Sequence, residues 1–135
     1  MPHQLSFKTE HIYPTNELGV VVPVRLSIGD SFIDFDARVD TGASFCIFNR
    51  GYAAALGLDT EEGLPVRVGT ATGTFEAYGH TVTLTTLGYD FDVMVYFASD
   101  AGFSRNVLGR RGWLDQLRLG LIDYEGKMYL SRYDD

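Results

Sequence analysis

Cysteine is nearly absent from this sequence: the chain of 135 residues contains one, Cys46, so no disulfide can form within it. Cys46 lies in the apolar run 45–48, which favours a buried small side chain over a reactive thiol. The histidines, His3, His11 and His80, have neither the spacing of metal ligands nor that of a catalytic pair with the cysteine. We therefore expect no cysteine-protease site, no metal and no cofactor.

Long apolar runs and an excess of positive charge are also missing. No segment approaches the roughly 18 apolar residues of a membrane-spanning helix, and residues 1–10 are polar and mixed, unlike a secretory signal. The formal net charge is −7 and the isoelectric point is near 4.8. Because nucleic acids and anionic membranes repel such a chain, neither is an expected partner. A neutral or mildly cationic peptide fits better, and we expect a cytoplasmic protein.

What the sequence does contain is a series of short β-type segments. Hydrophobic residues make up 45% of the chain and are spread along its length. This composition fits one domain over residues 1–135, with a core of about 20–133. Residues 20–28 and 33–39 alternate apolar and polar side chains around a turn at Gly29, which predicts a hairpin.

The remaining segments follow the same pattern. Short helices are predicted at residues 50–56, with a stop at Gly57, and at residues 113–117. Many short strands with one or two short helices predict an all-β, barrel-like fold. The other predicted strands comprise residues 45–48, 65–68, 81–87 and 91–97, and a final hairpin of residues 119–124 and 128–133.

One triplet stands at the end of the first hairpin. Asp40, Thr41 and Gly42 present a carboxylate at a sharp turn, since the hydroxyl can hydrogen-bond locally and the glycine frees the backbone. The triplet occurs once. The nearest match, Asp100-Ala101-Gly102, lacks the hydroxyl, and chance explains it better than a second catalytic carboxylate.

In four features, taken in order, the chain resembles the retropepsin-like aspartic proteases, the single-domain homodimeric relatives of pepsin. These are the motif at 39–44, a short apolar strand and helix ending near residue 57, a glycine-bearing hairpin around 70–78, and Val-Leu-Gly-Arg at 107–110. The resemblance spans nearly the whole chain. It implies a closed or orthogonal acid-protease β-barrel.

The resemblance also implies an activity. Asp40 would be the catalytic residue of an aspartic endopeptidase, active only as a homodimer in which two Asp40 carboxylates activate a water molecule. Peptides or proteins would be its substrates. The loop residues that follow, Thr41, Gly42, Ala43 and Ser44, would support the site, with the Thr41 hydroxyl bonding to the opposite loop.

Further roles are implied for the later elements. Leu108, Gly109 and Arg110 would be structural residues near the site. The hairpin would be a mobile flap that contacts substrate. Its predicted substrate-binding residues are Thr72, Gly73, Thr74 and Tyr78.

One position departs from the pattern of the viral members of this family. The arginine at the position of Arg110 pairs there with an acid just beyond the catalytic triplet, whereas Ser44 occupies that position here. Asp34 or Asp36 could replace the acid, or Arg110 has no partner. Residues 5–13 and 128–133 are candidate strands between subunits.

Two other functions compete with proteolysis. The same barrel could be a non-catalytic binding or scaffold protein, which monomeric behaviour in solution would favour. It could also be a small-molecule carrier in which Asp40 is only a turn residue, although this would leave the Leu108-Gly109-Arg110 element unexplained.

Overall fold

A computed structural model describes all of residues 1–135 and contains ten strands, one α-helix and three 3-10 turns in two sheets. The predicted all-β class is confirmed. The 3-10 turns are Thr60–Glu62, Leu114–Gln116 and Asp123–Glu125. The α-helix and strands are β1 (Thr9–Ile12), β2 (Val21–Ile28), β3 (Ser31–Val39), β4 (Ile47–Phe48), α1 (Arg50–Ala55), β5 (Leu64–Thr70), β6 (Gly73–Thr86), β7 (Tyr89–Ala98), β8 (Val107–Leu108), β9 (Leu117–Ile122) and β10 (Lys127–Arg132).

The larger sheet closes on itself as a barrel. Its order is β2-β3-β8-β4-β7-β6-β5, and an additional antiparallel pairing of β2 with β6 joins the ring. β5 stays outside the ring and extends β6 as a long hairpin. Closure removes most free strand edges, which would otherwise invite pairing with other chains.

The first predicted hairpin is confirmed, and its two strands pair along their whole length. β2 and β3 pair from Val21↔Arg38 to Ile28↔Ser31. Gly29 has a φ of +56° in the two-residue turn, a conformation that glycine adopts without steric penalty. The alternating apolar side chains face the core, and the second arm ends immediately before Asp40.

The two predicted helices have different outcomes. α1 forms as predicted, with the Asn49 side chain accepting a hydrogen bond from the N–H of Gly51 (2.7 Å), and the chain reverses at Gly57 with a φ of +78°. The helix predicted at 113–117 is wrong. Only the 3-10 turn Leu114–Gln116 forms, because Leu117 already pairs with Arg132 in the ladder between β9 and β10.

The core is one cluster of 19 buried apolar residues that fills the barrel and continues to the smaller sheet. Trp113 is the largest of its fully buried side chains, and its indole N–H has no hydrogen-bond partner. Phe48 and Phe97 pack beside each other, with ring centroids 6.4 Å apart. The C-terminal strand β10 adds Met128 and Leu130, so this end of the chain is packed into the same core.

The smaller sheet has the order β1-β10-β9. β10 is hydrogen-bonded to β1 on one edge and to β9 on the other. It has no free edge for a strand of another subunit, so the prediction that residues 128–133 form an intersubunit strand is wrong. Residues 5–13 contribute β1, which is an edge strand of this sheet. The only α-helix, α1, has six residues, and none of the helices has the length and hydropathy to span a bilayer.

Candidate active site

Asp40 stands at the point where β3 leaves the barrel. Its backbone N–H donates to the carbonyl of Leu108 (3.0 Å) and its carbonyl accepts from the N–H of Ala43 (3.1 Å). These bonds close a tight turn over β8. The hairpin therefore delivers Asp40 to a defined place, and the neighbouring strand holds it there.

The segment from residue 40 to residue 46, called here the Asp40 loop, is clamped along its length by the chain after β8. The N–H groups of Arg110 and Arg111 donate to the carbonyls of Ala43 (2.9 Å) and Ser44 (3.0 Å). Beneath them, the thiol of Cys46 donates to the carbonyl of Arg111 (3.5 Å). Backbone bonds of this kind fix a loop without depending on mobile side chains.

Gly109 is the residue that lets these two segments meet. A Cβ atom at this position would lie 2.8 Å from the carbonyl oxygen of Ala43 and closer still to that of Phe45. Neither neighbour is a flexible side chain that could move away. The apolar-apolar-Gly-Arg element thus needs its glycine for close approach to the Asp40 loop.

The side chain of Asp40 is oriented by its own turn. The N–H of Gly42 donates to Oδ1 of Asp40 (3.0 Å), and the carboxylate is otherwise exposed. Thr41 is also exposed, and its hydroxyl makes no hydrogen bond within the chain. The loop therefore presents one carboxylate and one free hydroxyl outward.

A cleft of about 540 Å³ opens beside Asp40. Three segments form it: the Asp40 loop, the β5–β6 hairpin and the chain that leads into β8. Its lining residues are Asp40, Gly42, Ala43, Ser44, Phe45, Ile47, Arg67, Val68, Gly69, Thr70, Phe75, Phe103, Arg105 and Val107. This volume and the mixed apolar and polar lining suit a peptide segment.

The β5–β6 hairpin spans the cleft and touches its far wall. Phe75 on β6 packs against Phe103, with ring centroids 5.5 Å apart. At the hairpin end, the hydroxyl of Thr70 donates to the carbonyl of Gly73 (3.0 Å) across the turn. The base of the hairpin is fixed by pairing of β6 with β7, and beyond that pairing the Phe75–Phe103 contact joins the hairpin to the cleft wall.

Comparison with known proteins agrees with this geometry. The family model described as aspartyl protease matches residues 22–111, which include the Asp40 loop, the hairpin and β8. This chain belongs to the aspartyl protease family.

A solved structure shows which form of the aspartyl protease fold is present. The chain is similar to a retropepsin-like aspartic protease from Rickettsia conorii, with a TM-score of 0.58 and 20% sequence identity. The similarity covers 85% of this chain and 100% of that one. The search of curated proteins found no match to this chain. The predicted retropepsin-like fold is confirmed.

The structure brings part of the predicted site together. Asp40, Gly42, Ala43 and Ser44 line the cleft. Leu108 and Arg110 are hydrogen-bonded to the Asp40 loop through their backbones, and Gly109 packs against it.

The predicted substrate-binding residues of the hairpin are placed differently. Thr72, Gly73 and Thr74 are exposed at its tip, beyond the residues that line the cleft. Tyr78 lies at its base, paired with Pro65 on one side and Phe97 on the other. The structure gives Tyr78 no contact with the cleft, so its assignment to substrate binding has no structural support.

Arg110 does not pair with either suggested acid. Asp34 instead accepts two hydrogen bonds from Arg25 (2.7 and 3.0 Å), which lower the pKa of this carboxyl and raise that of the guanidinium. Asp36 takes part in no ion pair. Arg110 lies beside Ser44 along a neighbouring groove of about 320 Å³.

Two further groups can be compared with Asp40. Asp100 repeats its local turn, with the N–H of Gly102 donating to Oδ1 (2.8 Å), but it does not line the cleft. Cys46 is buried, which raises the pKa of its thiol to about 12, and the prediction of an inert thiol agrees with this.

Several cleft residues were missed by the sequence analysis. Arg67, Phe75, Phe103 and Arg105 carry no motif, and they meet only because the hairpin folds over the barrel end. The alternation of β5 and β6 predicts strands but not which face covers the cleft. No local signal in the sequence marks these four residues as neighbours.

Proposed function

We propose that this protein is a homodimeric aspartic endopeptidase, with Asp40 of each subunit in the catalytic pair. The observation that carries the proposal is the Asp40 carboxylate, oriented by Gly42 at the edge of a peptide-sized cleft. Membership of the aspartyl protease family supports the same chemistry. We also propose that residues 1–135 form one domain; a cytoplasmic location stays a prediction from composition.

The chemistry needs two carboxylates that share one proton. Two negative charges about 3 Å apart repel each other, so one carboxyl of such a pair stays protonated over a wide pH range. The ionised Asp40 takes a proton from water, and the resulting hydroxide adds to the peptide carbonyl carbon. The protonated Asp40 donates to the carbonyl oxygen, and a proton delivered to the amide nitrogen then lets the C–N bond break.

The second carboxylate has to come from another chain. The sequence contains one Asp-Thr-Gly triplet, and Asp100 lies away from the cleft. The exposed Asp40 and the unbonded Thr41 hydroxyl are what a two-fold contact between Asp40 loops would use. In such a dimer the two roles are equivalent until a substrate breaks the symmetry.

The β5–β6 hairpin is the proposed flap. Its residues line the cleft, and Phe75 contacts Phe103 there. Its opening and closing would admit the peptide and then exclude bulk water from the carboxylate pair. Thr72, Gly73 and Thr74 at the tip would then meet substrate only in the closed dimer.

Asp40→Asn tests the proposal. The amide oxygen can still accept the Gly42 hydrogen bond, so the loop should keep its shape while the acid is lost. We expect peptide cleavage to fall by at least about 100-fold. Asp100→Asn is the matched control, because it makes the same change in the same type of turn outside the cleft. Retained cleavage in Asp40→Asn would rule out the mechanism.

The dimer is tested separately. Sedimentation should give a mass twice 15.0 kDa under conditions of activity. The interface of such a dimer should bury more than about 2,000 Å² in total. Excess Asp40→Asn protein mixed with wild type should suppress its activity by forming dimers with one acid, whereas Asp100→Asn should not. A monomer that cleaves peptides would contradict the shared site and favour a different source for the second acid.

A further inference from the structure

The cleft carries a charge opposite to that of the whole chain. The formal net charge is −7, yet Arg67 on β5 and Arg105 in the segment before β8 both line the cleft. Asp40 is the only acidic residue in the lining. The charged residues that line the cleft are therefore one aspartate, Asp40, and two arginines, Arg67 and Arg105.

Neither arginine forms an ion pair within the chain. The four ion pairs of the structure involve other residues. Other arginines are occupied: Arg118 and Arg132, for example, donate hydrogen bonds to backbone carbonyls. Glu76 stands opposite Arg67 in the register of β5 and β6, but it forms no ion pair with Arg67 and does not line the cleft.

Free guanidinium groups beside a partly apolar wall suit a carboxylate ligand. Arginine presents five N–H donors in a planar fork that matches a carboxylate with two parallel hydrogen bonds. Phe75 and Phe103 form part of the same lining and make that part of the wall apolar. Lower local polarity strengthens the attraction between a bound carboxylate and these arginines.

We propose that Arg67 and Arg105 select peptides with an Asp or Glu side chain beside the scissile bond. This assignment rests on the proposed peptidase function and names its substrate class. In the proposed homodimer each subunit supplies the same two arginines, so an acidic side chain is accepted on either side of the bond. The preference expected from net charge alone, for neutral or mildly cationic peptides, is reversed inside the cleft.

The net negative charge opposes this selection only weakly. Charges on the outer surface are screened over about 8 Å at physiological ionic strength. A carboxylate that hydrogen-bonds to Arg67 or Arg105 lies well within this screening length of the positive charge. The short-range contact therefore decides the preference, while the distant acids affect mainly the rate of encounter.

Matched fluorogenic peptides test the proposal. Digestion of a mixed peptide library locates cleavage sites, and peptides built on them carry Glu, Gln or Lys at each position flanking the bond. We expect kcat/KM to be about tenfold higher for Glu than for Gln at one or more positions. Arg67→Glu combined with Arg105→Glu should reverse the order, so that Lys peptides are cleaved faster than Glu peptides.

Lys8→Glu is the control, because it changes one exposed cation to an anion outside the cleft and should leave the Glu preference intact. Cleavage with no Glu preference, or a preference unchanged by charge reversal, overturns the inference but leaves the peptidase standing. If no peptide is cleaved, the proposed function fails. The inference is then decided by fluorescence anisotropy on Asp40→Asn protein: tighter binding of Glu peptides supports it, and equal binding of Glu and Gln peptides overturns it.

Discussion

The Asp40 loop and the β5–β6 hairpin face the same cleft but are held in opposite ways. The loop is tied to the chain after β8 by successive backbone hydrogen bonds, with Gly109 in contact beneath it. The hairpin end is exposed, and a Cβ atom added at Gly69 or Gly73 would meet nothing within 4 Å. The proposed catalytic residue thus lies on a constrained segment, and the proposed flap on an open one.

This difference matches the roles proposed for the two segments. A proton-sharing pair needs its carboxylates held within a fraction of an ångström, which backbone bonds achieve better than side-chain contacts. A cover over the cleft has to open and close, so it belongs to the weakly packed part of the structure. Three changes below test the contrast, in order of decreasing effect.

Gly109→Ala should have the largest effect. The new methyl group would collide with the carbonyls of Ala43 and Phe45, so the Asp40 loop would have to move. We expect a loss of about 3 kcal/mol in the free energy of unfolding, together with loss of peptide cleavage. Gly69→Ala is the control, and urea denaturation should show little change for it. Equal effects of the two substitutions would contradict the contrast.

The next largest loss of stability is expected at alkaline pH, where the thiol of Cys46 beneath the Asp40 loop becomes able to lose its proton. Burial raises the pKa of the thiol from 9.0 to about 12. The unfolded chain therefore loses this proton before the folded one, so stability is complete below pH 9 and falls as pH rises toward 12. Above pH 9 the free energy of unfolding should fall by roughly 1.4 kcal/mol per pH unit. Urea denaturation between pH 8 and 11 measures this slope.

Tyr13 acts in the same direction and needs its own control. Burial and a hydrogen bond donated to Asp123 (2.7 Å) raise its pKa from 10.0 to about 12. Cys46→Ala should remove the part of the slope that begins near pH 9, and Tyr13→Phe the part that begins near pH 10. A slope that Cys46→Ala leaves unchanged would show that thiol burial is not its cause.

Phe103→Ala should have the smallest effect on stability and a selective effect on the hairpin. It removes the ring against which Phe75 packs, a contact expected to contribute about 1 kcal/mol. We expect faster amide exchange in β5 and the start of β6, unchanged exchange in the Asp40 loop, and a several-fold higher KM. Phe32→Ala, which truncates an exposed ring on β3, is the control. Faster exchange in the loop as well would mean that the two segments move together.

Local patterns predicted the parts of the site that follow each other along the chain. Alternating side chains and Gly29 predicted the β2–β3 hairpin, which ends at Asp40 as expected. The helix predicted at 113–117 failed because pairing with β10 extended strand β9 to Leu117. The intersubunit pairing of residues 128–133 failed in the same way, since β1 and β9 bind both edges of β10.

The sequence by itself determined the strand pattern and the turn that exposes Asp40. These depend on side-chain alternation and on turn chemistry. The need for glycine at position 109 comes from the tertiary structure, which brings this residue against the carbonyls of Ala43 and Phe45. Only the tertiary structure decided that Arg67, Phe75 and Arg105 share a cleft with Asp40. Their meeting depends on how the β5–β6 hairpin folds across the closed barrel, a long-range arrangement that no local pattern of residues encodes.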